Sequence, residues 1–495
     1  MRAVQTFFLT SLLLGGCTAG PDYAGPPDLR GAAPAPSFVR RDPSIAPVEP
    51  RVAAWWNELN DPVLNELERK ALAANPPLEA AQARVRQARA SVRQERANRF
   101  PTAGAQGTAI FADLPGLDLQ SDRGAESPAP TPAPSEDSGD GSTLNFYNLG
   151  LNANWEINLG GGQARRIEAA NALAAAASFN AADAQVQLTA EVAQTYTNLR
   201  DRQQRVEALR RARDLQQEVL ELTGQRFRQG TVGAFAVGQT NRALQSTIAE
   251  LAAAEAEIDI NLNALAVLVG ETPGSLDTLL APIRDIPLPP SQVTVGDPAS
   301  LLRRRPDIRA AERNIAAATA RIGVAEAARF PKISFMGILG IGGTSPEDVV
   351  DLSNISKIAV PQLQWGLLDF GRTSAAIGQS RAGLAEAEAQ YRFVVLGALR
   401  DAESSLSRFT QQRRTVAALA AIKQSSGEAL GLMRQRYDSG VISRGDYLEA
   451  ERQQIIAETN LRSALAALLG SYVAIQKSLG FGWAEVDEYP AAEQG

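Results

Sequence analysis

Polar and apolar residues alternate along Asn148–Asn158. Apolar side chains such as Leu149, Leu151 and Trp155 occupy the odd positions, and asparagines occupy most of the even ones. Because successive side chains of a strand point to opposite faces, this alternation predicts a strand with one apolar and one polar face. About eleven residues is also the length of a membrane-spanning strand. We therefore predict a transmembrane strand whose apolar face meets lipid; a half-buried strand of a soluble sheet is the alternative.

Three further segments are predicted strands, at Thr102–Ala112, Lys332–Gly342 and around residues 354–367. The last is the least regular, because Pro361 lies within it and proline lacks the N–H that a strand ladder uses. Its predicted outward positions are Ile355, Ala359, Leu363, Trp365 and Leu367, and its inward positions are Asn354, Ser356, Gln362 and Gln364. The four strands are expected to form two hairpins.

Long segments without proline predict unusually long helices. Gln163–Phe227 corresponds to a helix of about 65 residues, or about 100 Å. Its expected seam alternates steps of three and four, as in coiled coils, through Ile167, Ala170, Ala174, Ala177, Ala181, Ala184 and Leu188. Shorter helices are predicted at Pro62–Ala74 with Asp61 as N-cap, and at Pro76–Arg99, Ala234–Gly270, Pro306–Arg329 and Arg444–Gly480. Two of these, stacked end to end, match one long helix in length.

The chain repeats itself. Asn75–Pro101 aligns with Arg305–Pro331 at an offset of about 230 residues, and Trp155–Pro273 aligns with Trp365–Trp483 at an offset of about 210. The first copy carries about 20 extra residues, including the proline-rich run 127–134, and loop tips absorb such insertions most easily. The predicted divisions are a signal peptide 1–16, a tether 17–74, a first repeat 75–273, a linker 274–304, a second repeat 305–483 and a tail 484–495.

Each repeat contains an arginine–aromatic–x–x–glycine turn, Arg226–Gly230 in the first and Arg436–Gly440 in the second. Glycine at such a position ends a helix readily, because it adopts the left-handed conformation without a Cβ clash. Each repeat is therefore expected to contain one helical hairpin as well as one strand hairpin.

The composition excludes several classes of function. The chain has no histidine and one cysteine, which excludes the usual zinc and iron ligand sets and histidine-based catalysis. A net charge of −6 without a basic stripe argues against nucleic acid. We expect no cofactor, no metal site and no enzymatic activity, although carboxylate chemistry remains formally open.

The one cysteine follows a secretory signal. Arg2 precedes the apolar run Phe7–Leu14, and Leu14-Gly15-Gly16-Cys17 resembles the lipobox of bacterial lipoproteins. The resemblance implies that Cys17 is lipidated and forms the mature N-terminus; an ordinary thiol is the alternative. Thr18, rather than aspartate, follows it and favours the outer membrane. No later stretch supplies the roughly 18 apolar residues of a membrane helix, so strands are expected to cross the membrane.

Four strands are too few to close a barrel, because closure takes about eight or more and open strand edges are not tolerated in lipid. The chain is therefore expected to oligomerise. A dimer supplies eight strands and a trimer twelve, and a channel wide enough for small molecules favours the trimer.

The chain resembles the outer-membrane efflux duct family, which is TolC-like in fold, and within it the lipoprotein branch. The resemblance rests on the lipobox, Gly20-Pro21-Asp22-Tyr23, Trp55-Trp56 with Asp61-Pro62, Arg304-Arg305-Pro306-Asp307 and the two glycine turns. It implies an α+β membrane protein: a homotrimer with a twelve-stranded transmembrane β-barrel continuous with a twelve-helix periplasmic α-barrel, and an equatorial belt. It also implies partners, namely outer-membrane lipid, a periplasmic adaptor and an inner-membrane exporter of the proton-driven RND type.

The resemblance further implies where the periplasmic gate lies. Acidic side chains after the second turn form rings across the pore, and the matching positions are Asp446 and Glu449. An N-terminal capping role is the alternative for Asp446, because Ser443 precedes it by three residues. The adaptor would dock on the turns themselves, at Gly230, Thr231, Val232, Gly233, Gly440, Val441, Ile442 and Ser443.

One position departs from the family pattern. Where the first turn often has an acid six residues after its glycine, this chain has Ala236. In the family that acid normally bonds the position of Tyr437, a bond that Ala236 cannot make, and Arg444 is the candidate for holding the gate instead.

The leading hypothesis is a passive trimeric duct that exports small molecules as the exit of a three-part pump. A duct for type I protein secretion, or a lipid-anchored coiled-coil lipoprotein without a pore, are the alternatives.

Overall fold

The computed structural model describes residues 18–27, 37–40, 53–114 and 142–483. It divides into two compact units. The sheet unit comprises Met1–Ala24, Ala90–Asn171 and Ala316–Leu384, and the helical unit comprises Gly25–Arg89, Ala172–Ile315 and Ala385–Gly495. The predicted signal peptide, the proline-rich run 127–134 and the predicted tail lie outside the described residues.

The sheet unit contains one antiparallel four-stranded sheet in the described part of the chain. Its strands are β1 (Thr102–Leu114), β2 (Ser142–Asn158), β3 (Lys332–Gly343) and β4 (Ile355–Gln364), in the order β1-β2-β3-β4. All four predicted strands are confirmed, and β2 begins six residues earlier than its alternating segment. The two expected hairpins also pair with each other through β2 and β3, with Gly150 opposite Gly340.

The two faces of β2 differ in exposure around residues 148–151. Leu149 and Leu151 are each 55% exposed, whereas Asn148 on the other face is 9% exposed. The Asn148 amide lies over the paired glycines, Gly150 and Gly340, where a Cβ at either position would collide with it or with backbone. Small residues thus let a polar side chain lie flat on this face.

The fourth strand differs in part from its prediction. β4 ends at Gln364, so Trp365 and Leu367 lie beyond it rather than at outward strand positions. The Trp365 indole Nε1 instead donates a hydrogen bond of 3.0 Å to the carbonyl oxygen of Arg329. Asn354 belongs to a short 3₁₀ turn before the strand. Pro361 is accommodated opposite Phe335, as suits a strand that has a partner on one side within the described chain.

Helices make up most of the described chain. Their bounds are α1 Pro62–Ala74, α2 Pro76–Ala97, α3 Gly162–Arg228, α4 Ala234–Leu268, α5 Asp277–Leu280, α6 Pro298–Arg304, α7 Pro306–Ala327, α8 Arg372–Asp438 and α9 Arg444–Ser478. The predicted helices agree with these bounds to within about two residues, and the short α5 and α6 were not predicted. Among the described residues, no helix is both long enough and apolar enough to span a membrane.

The alanine-rich seam of α3 packs as predicted in the helical unit. Ala181 forms a buried cluster with Ala81 and Val85 of α2, and Ala177 and Ala184 pack against that cluster. Because these side chains are small, the two helix backbones approach closely. The seam therefore buries contact area without a bulky core.

The shorter helices meet end to end, as their lengths predict. The Asn75 side-chain amide, just before α2, donates a 2.9 Å hydrogen bond to the carbonyl oxygen of Leu268 at the end of α4. Arg305, just before α7, donates from Nη1 to the carbonyl oxygen of Ser478 at the end of α9, at 2.5 Å. Each donor satisfies a helix-terminal carbonyl that has no partner within its own helix.

Asp61 connects the start of α1 to α3. Its carboxylate accepts hydrogen bonds from the backbone N–H groups of Val63 and Leu64, at 2.8 and 3.1 Å, and from the Tyr196 hydroxyl at 2.6 Å. Burial, followed by the bond to Asp61, raises the pKa of Tyr196, which keeps its hydroxyl protonated as a donor. One carboxylate thus caps a helix and ties it to its neighbour.

Comparison of Asp61→Ala with Tyr196→Phe separates the capping role of Asp61 from its bond to Tyr196. Asp61→Ala removes the cap and the tyrosine bond, and is expected to cost about 2–3 kcal/mol, whereas Tyr196→Phe removes one bond and costs about 1 kcal/mol. Thermal unfolding of the purified protein in detergent, followed by circular dichroism, measures both. Equal shifts for the two variants would contradict the capping role.

Candidate functional site in the turns between the helices

The two predicted turns join the long helices to the returning ones in the helical unit. One lies between α3 and α4, and the other between α8 and α9. Gly230 and Gly440 have φ values of +72° and +71°, in the left-handed region where a side chain is unfavourable. The next residues, Thr231 and Val441, each donate a 2.9 Å backbone hydrogen bond to the carbonyl of the arginine five positions earlier. The predicted role of both glycines in ending a helix is confirmed.

The helices that leave the turns begin differently. Gly233 precedes α4 and offers no side chain as a cap, whereas Ser443 and Asp446 form a reciprocal capping box at the start of α9. The Ser443 hydroxyl lies 2.7 Å from the Asp446 carboxylate and 3.3 Å from the Asp446 backbone nitrogen. Hydrogen bonding by Ser443 holds the pKa of Asp446 below its ordinary value. The capping role predicted for Asp446 is confirmed.

Glu449 is paired within its own helix. Its carboxylate accepts two hydrogen bonds from Arg452, at 2.6 and 2.8 Å, and one from the Gln453 amide at 2.8 Å. The bonds from Arg452 hold the pKa of Glu449 below its ordinary value, so the carboxylate stays ionised at neutral pH. Its negative charge is therefore balanced locally.

Arg444 joins the second turn to α3. Its guanidinium makes a bidentate ion pair with Glu218, with N–O distances of 2.6 and 2.9 Å. The same group lies 5.5 Å from the ring centroid of Tyr437 and 5.0 Å from that of Tyr447. These two rings stack on each other at 5.5 Å. A planar, always charged guanidinium suits this combination of carboxylate and aromatic partners.

The sequence singled out Arg444 and Tyr437 but missed Glu218 and Tyr447. Tyr447 lies three residues after Arg444 on α9, and that helical spacing is a local signal for their contact. Glu218 lies 226 residues from Arg444 and carries no comparable signal.

The Arg444–Glu218 pair borders an open cleft of about 450 Å³ between α3, α8 and α9. Arg211 lies across it and pairs with Glu458 at 3.3 Å. The cleft is lined mainly by charged side chains, among them Asp214 and Glu451, and the neutral amide of Gln454 also lines it. Among the residues that the structure describes, no cluster of carboxylates or cysteine has the arrangement of a metal site.

The turns themselves are open to solvent. Their predicted docking residues Gly230, Thr231, Gly233, Gly440, Val441 and Ser443 are exposed, and Val232 and Ile442 are half-buried. Val441 is 72% exposed, and Phe235, which the sequence did not single out, is 76% exposed. Each turn therefore presents an apolar side chain. The lipidation candidate, Cys17, lies outside the described residues.

Comparison with known proteins places this architecture in a family. The model of the outer membrane efflux protein family matches residues 67–271 and 298–481. The chain belongs to the outer membrane efflux protein family. The match covers both groups of long helices and all four strands. It confirms the family that the sequence resembles and the predicted location in the outer membrane. It also confirms the prediction that the protein is a channel rather than an enzyme.

Individual relatives match over nearly their whole length. Nodulation protein T of Rhizobium leguminosarum bv. trifolii is 28% identical over 97% of each chain. The pyoverdine export outer membrane protein OpmQ of Pseudomonas aeruginosa is 28% identical over 95% of each chain. Among solved structures, the outer-membrane channel OprN matches with a TM-score of 0.81 and 30% identity, over 94% of this chain and all of that one.

The capping box predicts a pH dependence confined to the second turn. Because the folded-state pKa of Asp446 is lowered, its stabilisation is present above the ordinary value of 3.8 and is lost as the pH falls through the lower folded value. At pH 6, Asp446→Ala should reduce hydrogen-exchange protection of residues 443–447 by about three- to fivefold. As the pH falls below 3.8, wild type should approach the variant.

The first turn is the internal control for this measurement. Residues 233–237 have no acidic cap, so their protection, corrected for intrinsic exchange, should not follow that profile. An Asp446→Ala protein with wild-type protection at pH 6 would contradict the capping account.

Proposed function

We propose that three copies of this chain form the exit duct of a three-part efflux pump. Three four-stranded sheets make a twelve-stranded barrel, and the paired long and stacked helices of three chains make a twelve-helix barrel. Residues 75–273 and 305–483 are then two structural repeats, flanked by equatorial segments 17–74 and 274–304. The observation that carries the proposal is the family match across both helical groups together with the full-length likeness to an outer-membrane channel.

The edges of the sheet support the oligomer. β1 pairs with β2 alone and β4 with β3 alone among the described residues, so each has one edge that needs a partner. An outer-membrane sheet cannot leave such edges in lipid, because unpaired backbone groups there cost several kcal/mol each. Pairing β1 of one copy with β4 of the next closes the ring. Twelve strands leave an aqueous interior, whereas about eight are filled by side chains.

Small molecules are the proposed cargo. A relative that matches over 95% of both chains is named for pyoverdine export, which favours small organic solutes over proteins. The proposed partners are a periplasmic adaptor and an inner-membrane exporter of the RND type. Phe235 and Val441, beside the two turns, are exposed apolar side chains that the docked adaptor would cover. Cys17 is the proposed site of lipid attachment.

The second turn is the proposed gate. The Arg444–Glu218 pair ties the start of α9 to α3, and Ala236 leaves the first turn without the acid that the family often has there. Movement of α9 away from α3 breaks this pair and separates Arg444 from the stacked rings. Asp446 and Glu449 lie in the first two turns of the same helix and are the proposed acidic rings.

Single-channel conductance in planar bilayers tests the duct and the gate together. The unheated wild-type oligomer should conduct ions, mostly in a low-conductance closed state. Arg444→Met and Glu218→Gln should each raise the mean conductance by about threefold or more, and the double variant should add little, because both remove one interaction. Arg400→Met is the matched control, since its partner Asp401 is the next residue of α8 and this pair cannot hold α9 to α3.

Absence of conductance from wild type and from all variants would overturn the duct. If Arg444→Met conducts as wild type does, or if Arg400→Met raises the conductance as much as Arg444→Met, the duct stands and the gate is overturned.

A further inference from the structure

The first described residues of the chain are held in a built site within the sheet unit. Thr18 to Asp22 carry no regular secondary structure, yet they contact α3 and α7 rather than lying free in solvent. The backbone N–H of Ala19 donates a 3.0 Å hydrogen bond to the carbonyl oxygen of Gly160. This bond fixes the segment to the turn between β2 and α3.

Arg165 is the centre of this site. Its side chain is 5% exposed, and its guanidinium donates to the carbonyl oxygens of Ala19 and Gly20, at 3.0 and 3.1 Å, and to the Asp22 carboxylate at 2.7 Å. A fourth bond, of 2.7 Å, goes to Glu168 on the same helix. Three of the four acceptors therefore belong to the N-terminal segment. A buried guanidinium needs such partners, because an unpaired buried charge is costly.

Close backbone approach completes the site. Gly20 has φ +89°, and a Cβ there would overlap the backbone of Gly323 on α7. A Cβ on Gly323 would lie 2.7 Å from both the Ala19 carbonyl oxygen and the Arg165 Cγ. A glycine within a helix normally costs about 1 kcal/mol of stability relative to alanine. Close packing of the N-terminal segment explains why glycine occupies position 323 despite this cost. Here the N-terminal segment occupies the space that its missing side chain leaves.

Exposed aromatic residues lie at the same end of the sheet as this site. Gly160, which accepts the bond from Ala19, packs against Phe330, and Phe330 is itself 50% exposed. The Trp155 and Trp365 indoles donate to the carbonyls of Arg99 and Arg329, at 2.9 and 3.0 Å, and are 37% and 53% exposed. Exposed aromatics with a polar tip bonded at the end of an apolar sheet are typical of the membrane–water interface.

The length of chain between Cys17 and the site is short. Cys17 precedes Ala19 by two residues, and a chain spans at most about 3.6 Å per residue, so docking of Ala19 limits how far a group attached to Cys17 can reach. Acyl chains on Cys17 would therefore leave the protein beside the exposed aromatics. A flexible tether would place them anywhere within a far wider radius.

We propose that the Arg165 site is a receptor for the chain's own N-terminal segment, which holds the lipid-bearing residue at the membrane interface beside the aromatic belt. The anchoring part of this proposal rests on the proposed lipidation of Cys17, which supplies the lipid. The lipid then acts as a fixed anchor on each protomer rather than as the end of a loose tether. Arg165 is a positioning residue, and Gly323 provides the space.

A nitroxide at position 24 tests the docking in the full-length protein in lipid. Ala24 is exposed and lies two residues after Asp22, and a lipidated Cys17 leaves Ala24→Cys as the one free thiol. The label should be largely immobile in the otherwise unchanged protein. Arg165→Met should raise its mobile fraction about fivefold or more, because three bonds to the segment are lost.

Two matched controls and a second variant distinguish loss of the docking site from a general effect of the substitutions. Arg166→Met removes the same charge from the next, exposed position and should leave the spectrum unchanged. Gly323→Ala favours the helix but collides with the segment, so it should mobilise the label even if Arg165→Met fails to assemble. Gly378→Ala, at a helical glycine with open space around it, should have no effect.

A label that stays immobile in both Arg165→Met and Gly323→Ala would overturn the receptor, as would equal mobility in the controls. Labelled palmitate separates this result from the proposed lipidation. Palmitate in wild type but not in Cys17→Ser supports the anchor. If wild type carries no palmitate, an immobile label on a Cys17→Ser background, where Ala24→Cys is the one thiol, would overturn the anchoring role and leave the segment's docking intact. Bilayer conductance of the same preparations reports on the duct independently.

Discussion

A β-sheet in a membrane must satisfy every backbone N–H and C=O group, since hydrocarbon offers no hydrogen-bond partner. The described sheet satisfies this requirement internally along three ladders and leaves one edge each on β1 and β4. In the proposed trimer, strands of neighbouring copies cover those edges. The proposed oligomer and its closed pore both follow from those two edges.

The helical unit meets a related requirement at its helix ends. Each helix leaves terminal carbonyls or N–H groups without intrahelical partners, and here neighbouring segments supply them. Asn75 and Arg305 bond the carbonyl ends of α4 and α9, Asp61 caps α1, and Ser443 with Asp446 caps α9. The second turn has the stronger cap and also the ion pair to α3. Its residues are thus bonded to one another and, through Arg444, to Glu218 of α3, which suits the gate proposed there.

Much of this fold could be predicted from the sequence because its signals are local. Alternation located β2, proline and glycine marked the helix ends, and helix lengths predicted the end-to-end stacking that Asn75 and Arg305 mediate. The end of β4 was predicted less well, because the strand stops at Gln364 and the Trp365 indole donates a hydrogen bond to the backbone carbonyl of Arg329. Pairs between distant segments were missed. Glu218 and Arg444 are 226 residues apart, and Asp22 and Arg165 are 143 apart, so no local pattern connects them.

Disulfide trapping between the free edges of neighbouring protomers tests the central claim most directly. Thr108→Cys on β1, combined in turn with cysteines along β4, should give a covalent trimer on a denaturing gel at one or two adjacent registers, since disulfides need Cβ atoms about 4 Å apart. Ile341→Cys with Ile355→Cys, which are directly paired within one chain, is the positive control. Cross-links that stop at a dimer, or none at any register while the control pair forms, would contradict the closed trimeric sheet.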